Sequence, residues 1–218
     1  MPFYARNTPN LLSIAKRAAE RSIDYQPDAI IAIVFSAIAI EGFVNDLLAD
    51  VSWVPLDELD PPLRQLQELA AAAGIEDRHT PLFRKISVIY VALTGKRCDT
   101  GRQPFQDLDL LLDLRNSLVH SRPETLNVEK ANSPSGVSTH HQVQPAKLAV
   151  RLAQRGIVPS PPKEVLTSLL AILHHPNAAA WAYNTAIASI RDLTSLHPGW
   201  EAIFVVEEPL NVLPLVPA

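Results

Sequence analysis

Arginine, asparagine and histidine stand close together in the run RNSLVH, residues 115–120. At 100° per residue on a helix, Asn116 and His120 are about 40° apart, and Arg115 and His120 are about 140° apart. A guanidinium binds phosphate, an imidazole exchanges protons near neutral pH, and an amide orients an oxygen. The run therefore indicates phosphate chemistry. A simpler interpretation stays open, in which Arg115 pairs with Glu41 or Asp109 and His120 interacts with the helix dipole.

A second pair of polar residues lies in an otherwise apolar stretch. Glu41 and Asn45 share one face of the helix predicted from Asp28 to Val51, so both are expected to point at the same neighbour. A buried carboxylate needs a partner. The helix predicted over Pro104 to Ser121 offers Arg115, and Glu41 either holds that guanidinium or raises the pKa of His120 by favouring its charged form.

The spacing from arginine to histidine is not specific by itself. An arginine followed by a histidine after four or five intervening residues occurs twice, at Arg115 and His120 and again at Arg191 and His197. In the second case the adjacent Asp192 would repel a phosphate. The asparagine and the leucine-rich helix favour the first occurrence.

Prolines divide the chain into helical segments, because proline is tolerated in a first turn and breaks a helix interior. The pattern predicts an all-α up-and-down bundle of about five to six main helices, with a helical core over residues 1–121, an inserted excursion over 122–162 and closing helices of the same domain over 163–199. Residues 200–218 are predicted as an extended apolar tail that contains the strand-like run AIFVVEE. The main helices are expected at Leu11–Ile23, Asp28–Val51, Leu63–Ile75, Pro81–Gly95 with Thr80 as N-cap, Pro104–Ser121 and Asn177–Leu196, and shorter pieces at Ala146–Gln154 and Lys163–Leu173.

Composition limits the partners. The chain has 218 residues, 47% hydrophobic, and a net charge of -4, so no global electrostatic attraction for nucleic acid exists. Local attraction is possible, since residues 78–102 contain six Lys or Arg against one acid, although such a stretch is also typical of a solvated surface. The candidate phosphate-binding residues are Lys96, Arg97, Arg102 and Arg122.

Cysteine and apolar content bear on the compartment. Cys98 is the single cysteine, which excludes an internal disulfide and a four-cysteine zinc site. Neither a signal peptide nor an apolar run of bilayer length is recognised, so we expect a cytoplasmic protein without membrane contact. The pairs His140 and His141, and His174 and His175, lack the spacing of a closed metal site. No metal or other cofactor is expected.

The run SAIAIEGFVNDLL, followed by a helix that ends in LRNSLVH, resembles the HEPN superfamily of all-α domains. Arg115, Asn116 and His120 match the family motif of an arginine, a polar residue and a histidine, while Glu41 and Asn45 match its partner helix less specifically. The resemblance covers roughly Asp28 to Ser121, and WAYNTAIASIRDL is similar to the closing helix of some members; residues 122–162 depart from a minimal bundle. It implies a metal-independent endoribonuclease in a toxin–antitoxin or antiviral context, a homodimer with a composite site, and an antitoxin protein as a possible partner.

The chemistry suits this family without depending on it. A ribose 2′-hydroxyl attacks the neighbouring phosphate if one group removes its proton and another protonates the leaving 5′-oxygen. Acid and base are two roles and the predicted cleft has one histidine, so two copies would complete the site. The alternatives are a non-catalytic helical module that binds nucleotide, RNA or a protein, and a structural partner whose proline-rich tail mediates assembly.

Overall fold

The computed structural model describes residues 7–75, 77, 79–120, 147–160, 169–203 and 208–211, and every regular element over these residues is helical. This confirms the all-α prediction. The α-helices, with a 3₁₀ turn at Leu56–Glu58 between the second and third, are α1 (Thr8–Arg21), α2 (Asp28–Trp53), α3 (Pro61–Ala73), α4 (Leu82–Thr94), α5 (Phe105–Val119), α6 (Lys147–Gln154), α7 (Leu169–Leu173), α8 (Pro176–Thr194) and α9 (Pro198–Ile203).

Helix α2 is the centre of the bundle and contacts α1, α3, α4, α5, α7 and α8. Its inner side chains, among them Ile33, Ile40 and Phe43, are fully buried. Within the described part of the chain, α2 alone is long and apolar enough to cross a membrane by length and composition. Half of its most apolar stretch is buried against the neighbouring helices, as in the core helix of a bundle.

Helix α5 runs antiparallel to α2. The ring of Phe105, its first residue, lies 5.7 Å from that of Tyr90, whose hydroxyl bonds to Asp192 near the end of α8. That end of α8 lies near the end of α2, because His197 contacts Asp60 there at 2.7 Å. Ten residues after Phe105, Arg115 contacts Glu41 in the middle of α2. The last turn of α5 therefore lies beside the N-terminal half of α2.

Two of the predicted helix starts differ from the structure because of local hydrogen bonding. Thr80 is not the N-cap of α4: its hydroxyl donates to the Gly74 carbonyl at 3.5 Å, and Pro81 takes the cap position. Helix α3 begins at Pro61 and not at the predicted Leu63. Asp60 is its N-cap, since the Asp60 carboxylate accepts from the Leu63 N–H at 3.0 Å.

The predicted extended tail begins with a helix. Helix α9 includes Trp200, the first residue of the predicted tail. Pro198 suits a first helical turn, the Gly199 N–H donates to Nδ1 of His197 at 3.2 Å, and Trp200 is buried. Residues 208–211 are irregular, and residues 204–207 and 212–218 lie outside the described residues, as do 121–146 and 161–168.

Candidate functional site

The candidate site is the C-terminal turn of α5. The helix ends at Val119, and His120 takes the C-cap position with φ -108° and ψ 43°, its N–H donating to the Asn116 carbonyl at 2.9 Å. The imidazole is exposed, and no described side chain bonds to it. His120 is therefore open to solvent and to a ligand, as proton transfer requires.

Arg115 is held between α2 and α5. One terminal nitrogen contacts a Glu41 carboxylate oxygen and the other donates to Oδ1 of Asn116 at 3.0 Å. The Arg115 side chain is 19% exposed and that of Glu41 is 35% exposed. Each terminal nitrogen has two hydrogens, so each keeps one beyond these contacts. The guanidinium is thus fixed in place and retains donors for an anion.

Burial affects Arg115 in two ways. Its Nε is buried without a hydrogen-bond partner, which leaves one polar group unsatisfied. Burial also lowers the pKa of Arg115 from its ordinary value. The ordinary pKa of arginine lies far above neutral pH, so the guanidinium stays charged, and Glu41 balances its charge locally.

Glu41 and Asn45 do not share a neighbour, contrary to the prediction from their spacing. Glu41 reaches α5, whereas Oδ1 of Asn45 accepts from Nζ of Lys85 on α4 at 2.8 Å. One helical turn displaces the two side chains by about 6 Å along α2, and α2 contacts both α4 and α5. Glu41 therefore has a guanidinium as its partner, and Asn45, one turn further on, has a buried ammonium.

Lys85 is the site residue that sequence reasoning missed. It is 4% exposed, and burial lowers its pKa while the negative charge of Asp77 opposes the shift. Lys85 follows Leu82 by three residues and precedes Ile89 by four, which is the spacing of the buried face of α4. A lysine in that register indicates a buried ammonium with a specific acceptor.

The basic residues expected to line a phosphate track lie elsewhere. Arg102 bonds to Asp192 at 3.0 Å and to the Tyr90 hydroxyl at 2.9 Å, and its guanidinium lies 5.4 Å from the centre of the Phe105 ring. Phe105 and His120 are at opposite ends of α5, about 20 Å apart at 1.5 Å per residue. Lys96 and Arg97 are exposed in the connection that leads to Phe105. The structure does not bring these three cations to Arg115 within one chain, and Arg122 lies outside the described residues.

The second arginine–histidine pair, Arg191 and His197, makes structural contacts. In His197, Nε2 contacts Asp60 and Nδ1 accepts from Gly199, so both ring nitrogens are used. Arg191 contacts Glu208 at 3.3 Å. The two occurrences of one spacing thus differ in the availability of the imidazole.

The other candidate groups show no sign of a separate centre. Burial raises the pKa of the Cys98 thiol to about 11, so it is protonated at neutral pH and a poor nucleophile. His175 caps α8 by accepting from the Asn177 N–H at 3.2 Å, and burial lowers its pKa. No three His, Cys, Asp or Glu side chains of the described ranges form a group that could hold a metal ion. His140 and His141 lie outside those ranges.

Two cavities of about 510 and 460 Å³ are lined by neither Arg115 nor His120. His120 is exposed at the end of α5. Comparison of the chain with protein-family models, with curated proteins and with solved structures finds no match.

Proposed function

We propose that this chain is a metal-independent endoribonuclease of the HEPN type, in which Arg115 contacts the scissile phosphate and His120 transfers protons. The observation that carries the proposal is the contrast along the last turn of α5: Arg115 is fixed by Glu41 and Asn116, and the imidazole five residues later is exposed and has no described partner. A fixed cation and an accessible acid–base group are two of the groups that phosphoryl transfer without a metal needs.

In the proposed reaction, the neutral imidazole of one His120 removes the proton of the ribose 2′-hydroxyl. The 2′-oxygen attacks the phosphorus and forms a 2′,3′-cyclic phosphate, while the bond to the 5′-oxygen breaks. The protonated His120 of a second copy donates its proton to that leaving oxygen. The free N–H groups of Arg115 stabilise the charge on the pentacoordinate phosphate, and Asn116 orients Arg115.

The surface around His120 suits the pairing of two copies. The outward positions of the N-terminal half of α2 are Ile31, Val34 and Ile38, at the three- and four-residue spacing of one helix face. Ile31 is 38% exposed, and Val119 beside His120 is 56% exposed. Val34 and Ile38 are half-buried, and apolar side chains that are exposed or half-buried on one face are typical of an interaction surface. We propose that a second copy covers this face and places its own His120 opposite the first.

The test is cleavage of a single-stranded RNA by the purified chain in EDTA. Wild type is expected to leave 2′,3′-cyclic phosphate ends and to spare DNA, which lacks the attacking hydroxyl. His120→Ala and Arg115→Ala are each expected to reduce the rate at least a hundredfold. His174→Ala is the matched control, because His174 also follows a helix and donates its N–H to a carbonyl four residues back, that of Leu170 at 3.1 Å. Equal activity of His120→Ala and His174→Ala would refute the proposal.

A non-catalytic helical module is the second candidate, and one observation favours it. The contact between Arg115 and Glu41 is also what a structural ion pair would look like, and it neutralises the charge that would attract a phosphate. Under this alternative the purified chain cleaves nothing and His120→Ala leaves binding unchanged. Growth after induced expression separates a toxin from such a module, since only a toxin is relieved by His120→Ala.

A further inference from the structure

The side chain of Asn184 on α8 binds the backbone of the tail at both of its polar groups. Its amide nitrogen donates to the Leu210 carbonyl at 2.8 Å, and its Oδ1 accepts from the Leu210 N–H at 2.7 Å. Both bonds go to main-chain atoms, so the recognition requires an extended peptide with a free N–H and does not depend on the side chain of that residue.

A second contact lies two turns further along the same face of α8. Arg191 follows Asn184 by seven residues and contacts Glu208, the residue two positions before Leu210. The tail therefore runs antiparallel to α8, and the Leu210 side chain packs half-buried against the core. We call the surface formed by Asn184, Ala188 and Arg191 the α8 slot. In this structure the slot contacts the carboxylate of Glu208 and the main chain of Leu210.

The α8 slot borders a cavity that the described tail residues do not line. This cavity of about 510 Å³ has Asn184 and Ala188 in its wall, together with Trp181, whose indole N–H is buried without a hydrogen-bond partner. Its volume lies within the range of ligand sites in proteins. The cavity offers additional apolar surface beside the slot to a peptide longer or bulkier than the described tail.

We propose that the α8 slot is a peptide-binding site that the tail of this chain occupies in cis, and that a partner protein occupies in trans with an extended segment of the form acidic–Pro–Leu. The tail covers the slot through three polar contacts and one half-buried leucine. The cis contact weakens partner binding, because the apparent Kd equals the intrinsic Kd divided by the fraction of molecules in which the slot is uncovered. The tail is thereby an autoinhibitory strap, and this role is independent of any nuclease activity.

The probe is a fluorescein-labelled peptide with the sequence VEEPLNVL, residues 206–213, added to the full chain and followed by fluorescence anisotropy. The variant with both Glu208→Ala and Leu210→Pro is called the open-slot variant. It loses the contact between Glu208 and Arg191 and the N–H that donates to Asn184. The control peptide VEEPPNVL lacks that N–H. Asn184→Ala and the isosteric Asn184→Asp are each combined with the open-slot variant. If one of the two combinations fails to fold, the other still tests the role of Asn184.

The open-slot variant is expected to bind the VEEPLNVL peptide at least tenfold more tightly than wild type. Either change at Asn184 should return the affinity to the wild-type level or below, and the control peptide should bind at least tenfold more weakly than VEEPLNVL. Equal binding of the two peptides, or equal affinity of wild type and the open-slot variant, would overturn the proposal. Circular dichroism confirms that each variant retains its helices.

Discussion

Replacing Glu41 with glutamine should lower stability and tighten RNA binding at the same time. Glutamine keeps a neutral acceptor for the Arg115 guanidinium, so the side chain stays in place, but one negative charge disappears beside the proposed phosphate contact. The two effects have opposite signs only if Arg115 binds RNA. If the Arg115 guanidinium serves solely as the structural partner of Glu41, the substitution lowers stability and leaves RNA binding unchanged.

The magnitudes follow from the partial exposure of the pair. An ion pair with side chains 35% and 19% exposed contributes about 1 kcal/mol, which corresponds to a Tm lower by about 2–4 °C in a chain of this size. A phosphate on the free N–H groups of Arg115 would lie about 6 Å from the Glu41 carboxylate. In a medium of dielectric constant about 80, repulsion between two unit charges at that separation is about 0.7 kcal/mol, or about threefold in Kd.

The assay uses a His120→Ala background, so that the labelled RNA is bound and not cleaved. Anisotropy at low salt gives Kd with and without Glu41→Gln, and thermal unfolding gives the two Tm values. The gain in affinity should shrink as salt rises, because the charges lie near a surface. Glu68→Gln removes an equal charge from an exposed position on α3 and is the matched control. A lower Tm with unchanged Kd, or an equal gain from Glu68→Gln, would refute the role given to Arg115.

Three further predictions concern the described contacts outside the proposed site. The Leu63 N–H and His197 lower the pKa of Asp60 in the folded chain. This carboxylate therefore stabilises the fold above its unfolded pKa, and the stabilisation is lost as pH falls through the lower folded pKa. Asp60→Ala should lower the free energy of unfolding in urea by about 1 kcal/mol at pH 7 and by much less near pH 2. Tyr90→Phe should cost about 1–2 kcal/mol in the same assay, because the hydroxyl bonds to both Asp192 and Arg102, and a loss below 0.3 kcal/mol would contradict this. Cys98, with a pKa of about 11, should react with iodoacetamide at pH 8 about a hundredfold more slowly than a free thiol and speed up to pH 11; a rate equal to that of free cysteine would contradict its burial.

The sequence predicts a side-chain contact best where a buried charge would be destabilising without a partner. A carboxylate at Glu41, inside an apolar helix, requires a donor, and the guanidinium on the leucine-rich helix was the best source; the structure brings the two together. The same reasoning failed for Asn45, because a neutral amide makes a weaker demand and the buried ammonium of Lys85 was not recognised. Proline positions predicted the bounds of α1–α6 and α8 to within three residues, since proline acts locally, whereas α9 lies where an extended tail was predicted.

Long-range contacts made by backbone atoms could not be predicted. The bonds from Asn184 to Leu210 involve only main-chain groups of the tail, so they leave no pattern of side chains in the sequence. The position of Arg102 has a related cause. Counting charges along the chain treats all cations as available, whereas Tyr90 and Asp192, which are distant in sequence, bind this one at the far end of α5.

The two arginine–histidine pairs show that the spacing of the residues does not determine whether the imidazole is available for proton transfer. Local geometry places each imidazole near the end of a helix, but Asp60, 137 residues away, contacts Nε2 of His197 at 2.7 Å, and Gly199 donates to Nδ1. An imidazole with both nitrogens bonded can accept a substrate proton only by giving up one of these bonds, which raises the barrier to general base catalysis. No described residue bonds to the His120 imidazole, so within the described part of the chain proton transfer at His120 breaks no such bond. The case for chemistry at the end of α5 therefore depends on tertiary contacts, which only the fold reveals.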